Sequence, residues 1–296
     1  MVWSLRANLM TWWKDAKESA PYTRGARKAT PRIEAPDDEP PIEPPSYRIV
    51  AALRSDAGCH RQVNEDCWHY YGPDEADSVA GKGALAIVAD GMGGHAAGEV
   101  ASRMAVEVIN RLYYGGSADA STALERAFHE ANRLIYRAAQ SNARLNGMGT
   151  TCTALALRNG LAICAHIGDS RLYLARGGAI YLMSEDHSAV MELVRRGVMS
   201  RETARSHADR NIILRALGTR PEAEVTIWRE PFPVRAGDCF VLCSDGLSDP
   251  VTDEEIKQAV LSAEPAAACE QLIALAKERG GYDNITVGAL KIVASE

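Results

Sequence analysis

Short apolar runs bounded by turn residues recur along the chain from about residue 47 to its end. Runs of this length, rich in β-branched and aromatic residues, are typical of strands. They cover residues 84–90, 151–157, 161–168, 171–175, 179–183, 239–245 and 284–293. The dipeptides Asn159-Gly160 and Gly177-Gly178 lie between neighbouring runs, as two-residue hairpin turns require. The pattern therefore predicts an antiparallel meander over residues 151–183.

Longer segments with apolar residues three and four positions apart predict helices. They cover residues 96–113, 119–143, 253–262 and 265–279. Each is long enough to cross a sheet. Because the strands come in runs and the helices are grouped outside them, we predict an α+β layered domain and not a parallel fold of alternating strands and helices.

The first 46 residues have a different composition. Residues 31–46 are rich in proline and acid, lack apolar periodicity and predict an extended linker. Residues 1–17 carry apolar side chains, Trp12 and Trp13 among them, at helical spacing. Two interpretations stay open: an amphipathic contact with a membrane surface or scaffold, or a short helix that packs on the folded domain. We predict that residues 1–46 are largely disordered and that residues 47–296 form the folded domain.

Composition and charge narrow the function classes. The chain has 296 residues, 46% of them hydrophobic and 24% charged, as expected of a globular protein. Its net charge of −6 argues against a nucleic-acid binder, which would carry a basic stripe. No stretch approaches the roughly 18 consecutive apolar residues of a spanning helix, and the start of the chain lacks the features of a signal peptide. The seven cysteines are scattered, without zinc spacing, and favour a reducing cytoplasm.

Acidic residues beside glycine stand at the ends of predicted strands. They are Asp90, Asp169, Asp245 and Asp283, with Glu65 and Asp66 in a further loop. A single aspartate in such a place is usually a turn residue or a helix cap, but repetition at separate loops favours a shared role. Crowded carboxylates repel one another unless a cation lies among them. Oxygen ligands without a His or Cys cluster select hard ions such as Mg²⁺, Mn²⁺ or Ca²⁺.

Ordered motifs extend this pattern along nearly the whole chain after the linker. They are Asp56-Ala-Gly58-x-x-Arg61-x-x-Asn64-Glu65-Asp66, Asp90-Gly-Met-Gly-Gly-His95-x-x-Gly98-Glu99, Gly149-Thr150-Thr151, Gly168-Asp169-Ser170-Arg171, Asp186-His187-Ser188, Leu214-Arg-Ala-Leu-Gly218, Ser244-Asp245-Gly246-Leu247 and Asp283-Asn284. Through them, residues 48–293 resemble the metal-dependent protein serine/threonine phosphatase family (PP2C-like or PPM), specifically its bacterial branch. The resemblance implies a central sandwich of two mainly antiparallel β-sheets flanked by pairs of α-helices, with residues 187–220 as a flap.

The resemblance also implies a two-metal centre with Mn²⁺ or Mg²⁺ as the cofactor. By motif match, Asp90 would bridge both ions and the carbonyl of Gly91 would bind the second. Asp245 and Asp283 would hold the first ion, and Glu65 would reach the second. In such phosphatases the paired ions activate a water for in-line attack on phosphorus.

Further roles follow from the same match. Asp66 would act on a metal directly or through water, and Asp169 would bind the third, weaker ion of bacterial members. Arg61 would clamp the substrate phosphate in a bidentate fork. Many eukaryotic relatives have a histidine where this chain has Met92, which leaves the general acid open. For His95 the simplest role is structural, at the start of the following helix.

The implied function is hydrolysis of phosphoserine and phosphothreonine in proteins, in opposition to bacterial Ser/Thr kinases. The partners would be phosphorylated proteins and a cognate kinase system in the cytoplasm, and we expect a monomer. Two alternatives remain. A phosphatase fold that only docks a partner would lack ligands, whereas all the expected ligands are present. A narrower substrate, such as the serine phosphate of an anti-anti-sigma factor, is compatible with the flap, whose arginines would steer phosphopeptides or simply form a solvated face.

Overall fold

The computed structural model describes residues 47–72, 82–93, 97–116 and 118–294. The predicted linker and amphipathic segment in residues 1–46 lie outside these residues, as does His95, so the expectations for them stay predictions. Within the described ranges, no helix combines the length and the apolar character that crossing a membrane requires.

Strands in the described part of the chain form two sheets, and every pairing among them is antiparallel. The strands are β1 (Tyr47–Asp56), β2 (Asp66–Tyr71), β3 (Ala84–Met92), β4 (Gly149–Thr150), β5 (Cys152–Arg158), β6 (Leu161–Ile167), β7 (Arg171–Arg176), β8 (Ala179–Leu182), β9 (Thr226–Ile227), β10 (Phe232–Pro233), β11 (Cys239–Cys243) and β12 (Ile285–Ala294). The five-stranded sheet has the order β1-β12-β11-β7-β8. The seven-stranded sheet has the order β10-β6-β5-β3-β2, with β4 paired to β3 and β9 paired to β6.

The described helices are α1 (Ala97–Gly115), α2 (Ala120–Ser141), α3 (Ala189–Arg195), α4 (Arg201–Arg205), α5 (Asp245–Ser248), α6 (Asp253–Ser262) and α7 (Pro265–Glu278), with a short 3-10 helix at Ala143–Leu145. Helices α1, α2, α6 and α7 pack on the outer faces of the two sheets. Ile109 of α1 and Phe128 of α2 pack in one core cluster with Ile87 of the seven-stranded sheet. Leu272 of α7 packs in a second cluster with Val241 of the five-stranded sheet. Full burial of each such side chain stabilises the fold by about 1.5–3 kcal/mol.

The inner faces of the sheets pack on each other. Successive side chains of a strand point to opposite faces of its sheet. On β3, Ile87 faces the helices, so the fully buried Ala86 and Val88 point the other way, and β11 and β12 contact β3 there. On β11, the fully buried Phe240 alternates in the same way with Val241. The predicted sandwich of two antiparallel sheets between pairs of helices is confirmed.

Residues 151–183 form two hairpins and not the single predicted meander. The β5–β6 hairpin belongs to the seven-stranded sheet, whereas β7 and β8 belong to the five-stranded sheet. Both predicted turns are present, with the positive φ that a type I′ turn requires. The φ values are 51° at Asn159, 72° at Gly160, 59° at Gly177 and 79° at Gly178. The meander prediction was wrong because alternating apolar residues do not show which sheet a strand joins.

The flap predicted from the sequence contains the short helices α3 and α4. Its far end is tied to the five-stranded side of the domain by two ion pairs. Nη2 of Arg205 lies 2.6 Å from Oδ1 of Asp253 at the start of α6, and Nε of Arg210 lies 3.2 Å from Oδ2 of Asp249. A cavity of about 480 Å³ lies beneath the flap, bounded by α5 and the start of α6.

Candidate metal centre

Asp66 and Asp90 lie side by side at the end of one strand pair. The register of β2 and β3 places them directly opposite each other, so Asp66 begins a strand and is not part of the predicted loop. Oδ2 of Asp66 accepts hydrogen bonds from the hydroxyls of Ser244, at 2.8 Å, and Thr286, at 2.6 Å. Thr286 lies in β12 and Ser244 directly follows β11, so both hydroxyls come from the five-stranded sheet. The two aspartates therefore lie where the sheets meet.

Asp245 is the first residue of the short helix α5. Strand β11 ends at Cys243, so the strand predicted over residues 239–245 is two residues too long. Gly246 packs closely on the segment that leads into β12: a Cβ at Gly246 would lie 2.0 Å from the carbonyl oxygen of Asn284. Desolvation, followed by the charges of Asp66 and Asp245, raises the pKa of Asp90 well above its usual value, so Asp245 lies close to Asp90.

Asp169 occupies the segment in which the chain crosses from one sheet to the other. Its side chain is buried, and it lines the same cavity beneath the flap as Asp245. The preceding Gly168 has a φ of 108°, and a Cβ there would lie 2.4 Å from Cβ of Thr151. A glycine is therefore required to turn the chain, and this turn delivers Asp169 to the other aspartates.

Arg61 and Asp283 form an ion pair at the rim of the cluster. Nη2 of Arg61 donates to Oδ2 of Asp283 at 2.7 Å, and both side chains are partly exposed. Desolvation opposes the charge of Arg61, but the hydrogen bond and charge of Asp283, together with the charges of Glu65 and Asp90, outweigh it and raise the pKa of Arg61. The guanidinium thus lies within the field of the acidic cluster.

Gly91 lies where three backbone segments approach one another. Its N–H donates to the carbonyl of Glu65 at 3.2 Å. A Cβ at this position would lie 2.2 Å from the carbonyl oxygen of Gly98 and 2.6 Å from that of Glu65. Desolvation raises the pKa of Glu65, and a hydrogen bond from the backbone of Gly98 partly offsets the rise. Only glycine fits here, and its absent side chain brings Glu65 close to Asp90.

Burial opposes ionisation of the clustered aspartates. Desolvation, reinforced by neighbouring carboxylates, raises the pKa of Asp66 to about 7, although its two hydroxyl hydrogen bonds act in the opposite direction. Desolvation and nearby carboxylates raise the pKa of Asp245 to about 6. The same causes raise the pKa values of Asp90 and Asp169 well above the usual value. Oδ1 of Asp66, of Asp169 and of Asp245 is buried without a hydrogen-bond partner.

Across the described ranges, no set of three or more His, Cys, Asp or Glu side chains lies as it stands in a position to hold one metal ion. Asp66 accepts hydrogen bonds from two hydroxyls instead, and Asp283 accepts one from Arg61. The chemistry of the set nevertheless fits a hard divalent cation. Its donors are all oxygens, three of them are buried without a partner, and positive charge would relieve the repulsion among them. The ligand roles drawn from the sequence stay predictions.

Polar residues for which the sequence motifs give no role hold the acidic side chains in place. Asn284 is buried, and its Oδ1 accepts from the N–H of Glu65 at 2.8 Å. Its Nδ2 donates to the carbonyls of Ala57, at 3.1 Å, and Val63, at 3.0 Å. One amide thereby ties the loop that carries Arg61 to strand β12. In the sequence, Asn284 belongs to the Asp283-Asn284 motif, which by itself gives no role for the amide.

The Gly-Asp-Ser-Arg and Asp-His-Ser motifs bind the start of the flap to the crossing segment. Nε and Nη2 of Arg171 donate to the two carboxylate oxygens of Asp186 at 3.0 and 2.6 Å, and the pair is largely buried. Nδ1 of His187 accepts from the N–H of Gly168 at 3.1 Å. These contacts hold the backbone on which Asp169 lies.

Comparison with known proteins decides the family. Residues 60–279, most of the chain, match the family model of protein phosphatase 2C. The chain belongs to the protein phosphatase 2C family. Its two antiparallel sheets, its outer helices and its acidic cluster are therefore read as those of a phosphatase 2C domain.

Relatives within the phosphatase 2C family are named serine/threonine phosphatases. PstP of Mycobacterium tuberculosis is 41% identical over 245 residues, which are 82% of this chain but 45% of that protein. The chain thus spans under half the length of this relative. The phosphatase Stp of Listeria innocua is 38% identical over 243 residues, which are 80% of this chain and 93% of that protein.

A solved structure resembles the whole domain. The crystal structure of the catalytic domain of PstP in complex with two manganese ions aligns with a TM-score of 0.71 and 37% identity. The alignment covers 84% of this chain and 100% of that one.

Proposed function

We propose that this chain is a protein phosphatase that hydrolyses phosphoserine and phosphothreonine at a centre of two divalent ions, Mn²⁺ or Mg²⁺. The observation that carries the proposal is the cluster of Asp66, Asp90, Asp169 and Asp245, packed where the sheets meet with raised pKa values and orphaned oxygens. The names of the relatives, and the two manganese ions in a similar structure, support it.

The proposed ligands follow the positions of the acidic residues. Asp90 would bridge the two ions, and the carbonyl of Gly91 would bind the second with Glu65. Asp245 and Asp283 would hold the first. A cation among these carboxylates would favour their ionised forms, which metal ligation requires.

The remaining acids would complete the centre. Asp66, fixed by the hydroxyls of Ser244 and Thr286, would act directly or through water. Asp169, which lines the same cavity as Asp245, would bind a third ion.

Arg61 would bind and orient the phosphate. One of its nitrogens already donates to Asp283, and a guanidinium has five N–H groups, so others are available for two phosphoryl oxygens. Bound ions would supply a nucleophile at neutral pH and offset the negative charge of the phosphoryl group. Asn284 fixes the Arg61 loop, and this pre-organisation limits the entropy that substrate binding costs.

The cellular setting remains a prediction from the sequence. It comprises phosphorylated proteins as substrates, a cognate Ser/Thr kinase, a cytoplasmic location, a monomeric state and contact with a membrane surface or scaffold through residues 1–17.

Hydrolysis of a phosphothreonine peptide and of p-nitrophenyl phosphate, with Mn²⁺, Mg²⁺ or EDTA, tests the proposal. We expect turnover that requires the added metal. Asp245→Asn should lower kcat/KM by about 100-fold or more, since even outer-shell changes at metal sites cost 10–100-fold. Asp119→Asn is the matched control, because Asp119 only caps α2 and asparagine caps equally well. Full activity in EDTA, or in Asp245→Asn, would contradict the proposal.

A further inference from the structure

Two aromatic rings stack at the rim of the candidate centre. The rings of His60 and Tyr282 have centroids 4.9 Å apart and planes within 17° of parallel. Each directly precedes in sequence a member of the Arg61–Asp283 ion pair. The Tyr282 residue is 73% exposed, so the stack buries little apolar surface. Folding energy alone therefore gives no reason for a large ring at this place.

Backbone contacts, and not the rings, hold the two segments together. The N–H of Cys59 donates to the carbonyl of Gly281 at 2.7 Å. Gly58 approaches the second segment so closely that a Cβ would lie 2.2 Å from the carbonyl oxygen of Asp283. The buried amide of Asn284 adds two further bonds to the Arg61 loop. The rings are thus presented on a fixed frame that does not need them.

Two acidic side chains of these segments, Asp56 and Asp283, are engaged in ion pairs. Asp56 accepts from Nζ of Lys277 at 2.8 Å, and Asp283 accepts from Arg61 at 2.7 Å. Val63, on the Arg61 loop, is 44% exposed. An apolar side chain laid on this surface would therefore gain contact area without displacing an ion pair.

We propose that the His60–Tyr282 pair is the surface on which a phosphoprotein substrate lays an apolar or aromatic side chain next to its phosphoresidue. The inference rests on the proposed function and adds a specificity determinant to it. Arg61 would hold the phosphate, and neighbouring residues of an extended peptide are about 3.8 Å apart between Cα atoms. The residue before or after the phosphoresidue thus comes within reach of the rings that flank Arg61.

Matched peptides test this surface. Two pairs of phosphothreonine peptides are assayed in the presence of Mn²⁺. One pair has Phe or Ser directly before the phosphothreonine, and the other has Phe or Ser directly after it. We expect the better Phe peptide to exceed its Ser counterpart by about five- to tenfold in kcat/KM, mainly through KM, which is the size of one aromatic contact. Tyr282→Ser should reduce this ratio to about one. Tyr282→Phe, which keeps the ring, should retain it, and Leu261→Ser, at an exposed apolar position on α6, serves as the control.

Binding of the same labelled peptides in EDTA, by fluorescence anisotropy, gives a readout that does not depend on turnover. A wild-type protein without a Phe preference in Kd or KM would overturn the inference, as would a Tyr282→Ser variant that keeps the preference. A capped single phosphothreonine, which has no neighbouring side chain, separates the two proposals. If neither the capped phosphothreonine nor any of the peptides is hydrolysed with any metal, the proposed function fails. The ratio of Kd values for the Phe and Ser peptides then still shows whether the rings bind the neighbouring side chain.

Discussion

Asp66 and Asp90 show how much of the site depends on single residues. Each is an ordinary carboxylate, but the strand register sets them opposite each other and the packing of two sheets removes their water. Asp66 therefore has a pKa of about 7, mainly through desolvation. Small residues matter equally, because Gly91 lets three backbone segments meet beside the acids.

Gly91→Ala should destabilise the protein. The added Cβ would lie 2.2 Å from the carbonyl oxygen of Gly98, so the backbone must shift, at a cost of about 2 kcal/mol. Gly115→Ala is the control, since a Cβ there meets no atom within 4 Å and alanine favours a helix. Urea unfolding of both variants measures the difference. Equal stabilities would show that the close approach at Gly91 is not rigid.

Binding of Mn²⁺ should release protons near pH 6. With pKa values raised to about 7 and about 6, Asp66 and Asp245 are partly protonated there in the metal-free protein, whereas a metal ligand must be ionised. Affinity should therefore rise with pH, and proton release should fall, as these groups ionise in the metal-free protein. Calorimetry in two buffers of different ionisation enthalpy measures this release. Heats that do not depend on the buffer at pH 6 would count against the raised pKa values.

At the scale of elements, exposed ion pairs join the middle of the flap to the rest of the domain. Arg205 pairs with Asp253 at the start of helix α6, and Arg210 pairs with Asp249, the residue that follows α5. Exposed pairs of this kind contribute about 0.5 kcal/mol each. The start of the flap is held more firmly, by the largely buried pair of Arg171 and Asp186.

Arg205→Gln should loosen the flap without unfolding the domain. We expect faster amide hydrogen exchange in α4, with a change in global stability of about 0.5 kcal/mol or less. Arg195→Gln is the control, because Arg195 pairs only with Glu192 of the same helix. Hydrogen exchange followed by mass spectrometry compares the exchange rate of α4 in the two variants. Unchanged exchange in α4 would mean that apolar packing, and not this ion pair, holds the flap.

Element bounds could be predicted where the periodicity is strong. The helix predicted over 253–262 is observed as Asp253–Ser262, and the strand over 84–90 as Ala84–Met92. Strand β2 is absent from the predicted strands because Asp66–Tyr71 carries polar and half-buried side chains without clear alternation. The division of 151–183 between two sheets was also not predictable. It depends on packing between segments far apart in sequence.

The same limit applies to the candidate site. The motifs single out the acidic residues, and the structure brings Asp66, Asp90, Asp169 and Asp245 within electrostatic reach of one another. The contact of Arg61 with Asp283, 222 positions away, has no local signature. Nor has the network of Asn284, because an amide beside an acid is common and only the closed fold brings its three partners to it.

At the scale of the whole molecule, the acids lie where two sheets and the flap meet. Asp66 and Asp90 come from the seven-stranded sheet, Asp245 and Asp283 from the ends of strands in the five-stranded sheet, and Asp169 from the crossing between them. Repulsion among these acids works against the sandwich, so a bound cation should stabilise the whole domain by mass action. This meeting point should therefore be a metal site.

The most direct test counts Mn²⁺ ions on the metal-free protein by isothermal titration calorimetry, with the melting temperature as a second readout. We predict at least two bound ions for the wild type and for the Asp119→Asn control, with a melting temperature that rises with Mn²⁺. Asp90→Asn should lose the paired ions and most of that rise. A wild-type protein that binds no Mn²⁺, or an Asp90→Asn variant that binds it unchanged, would contradict the account.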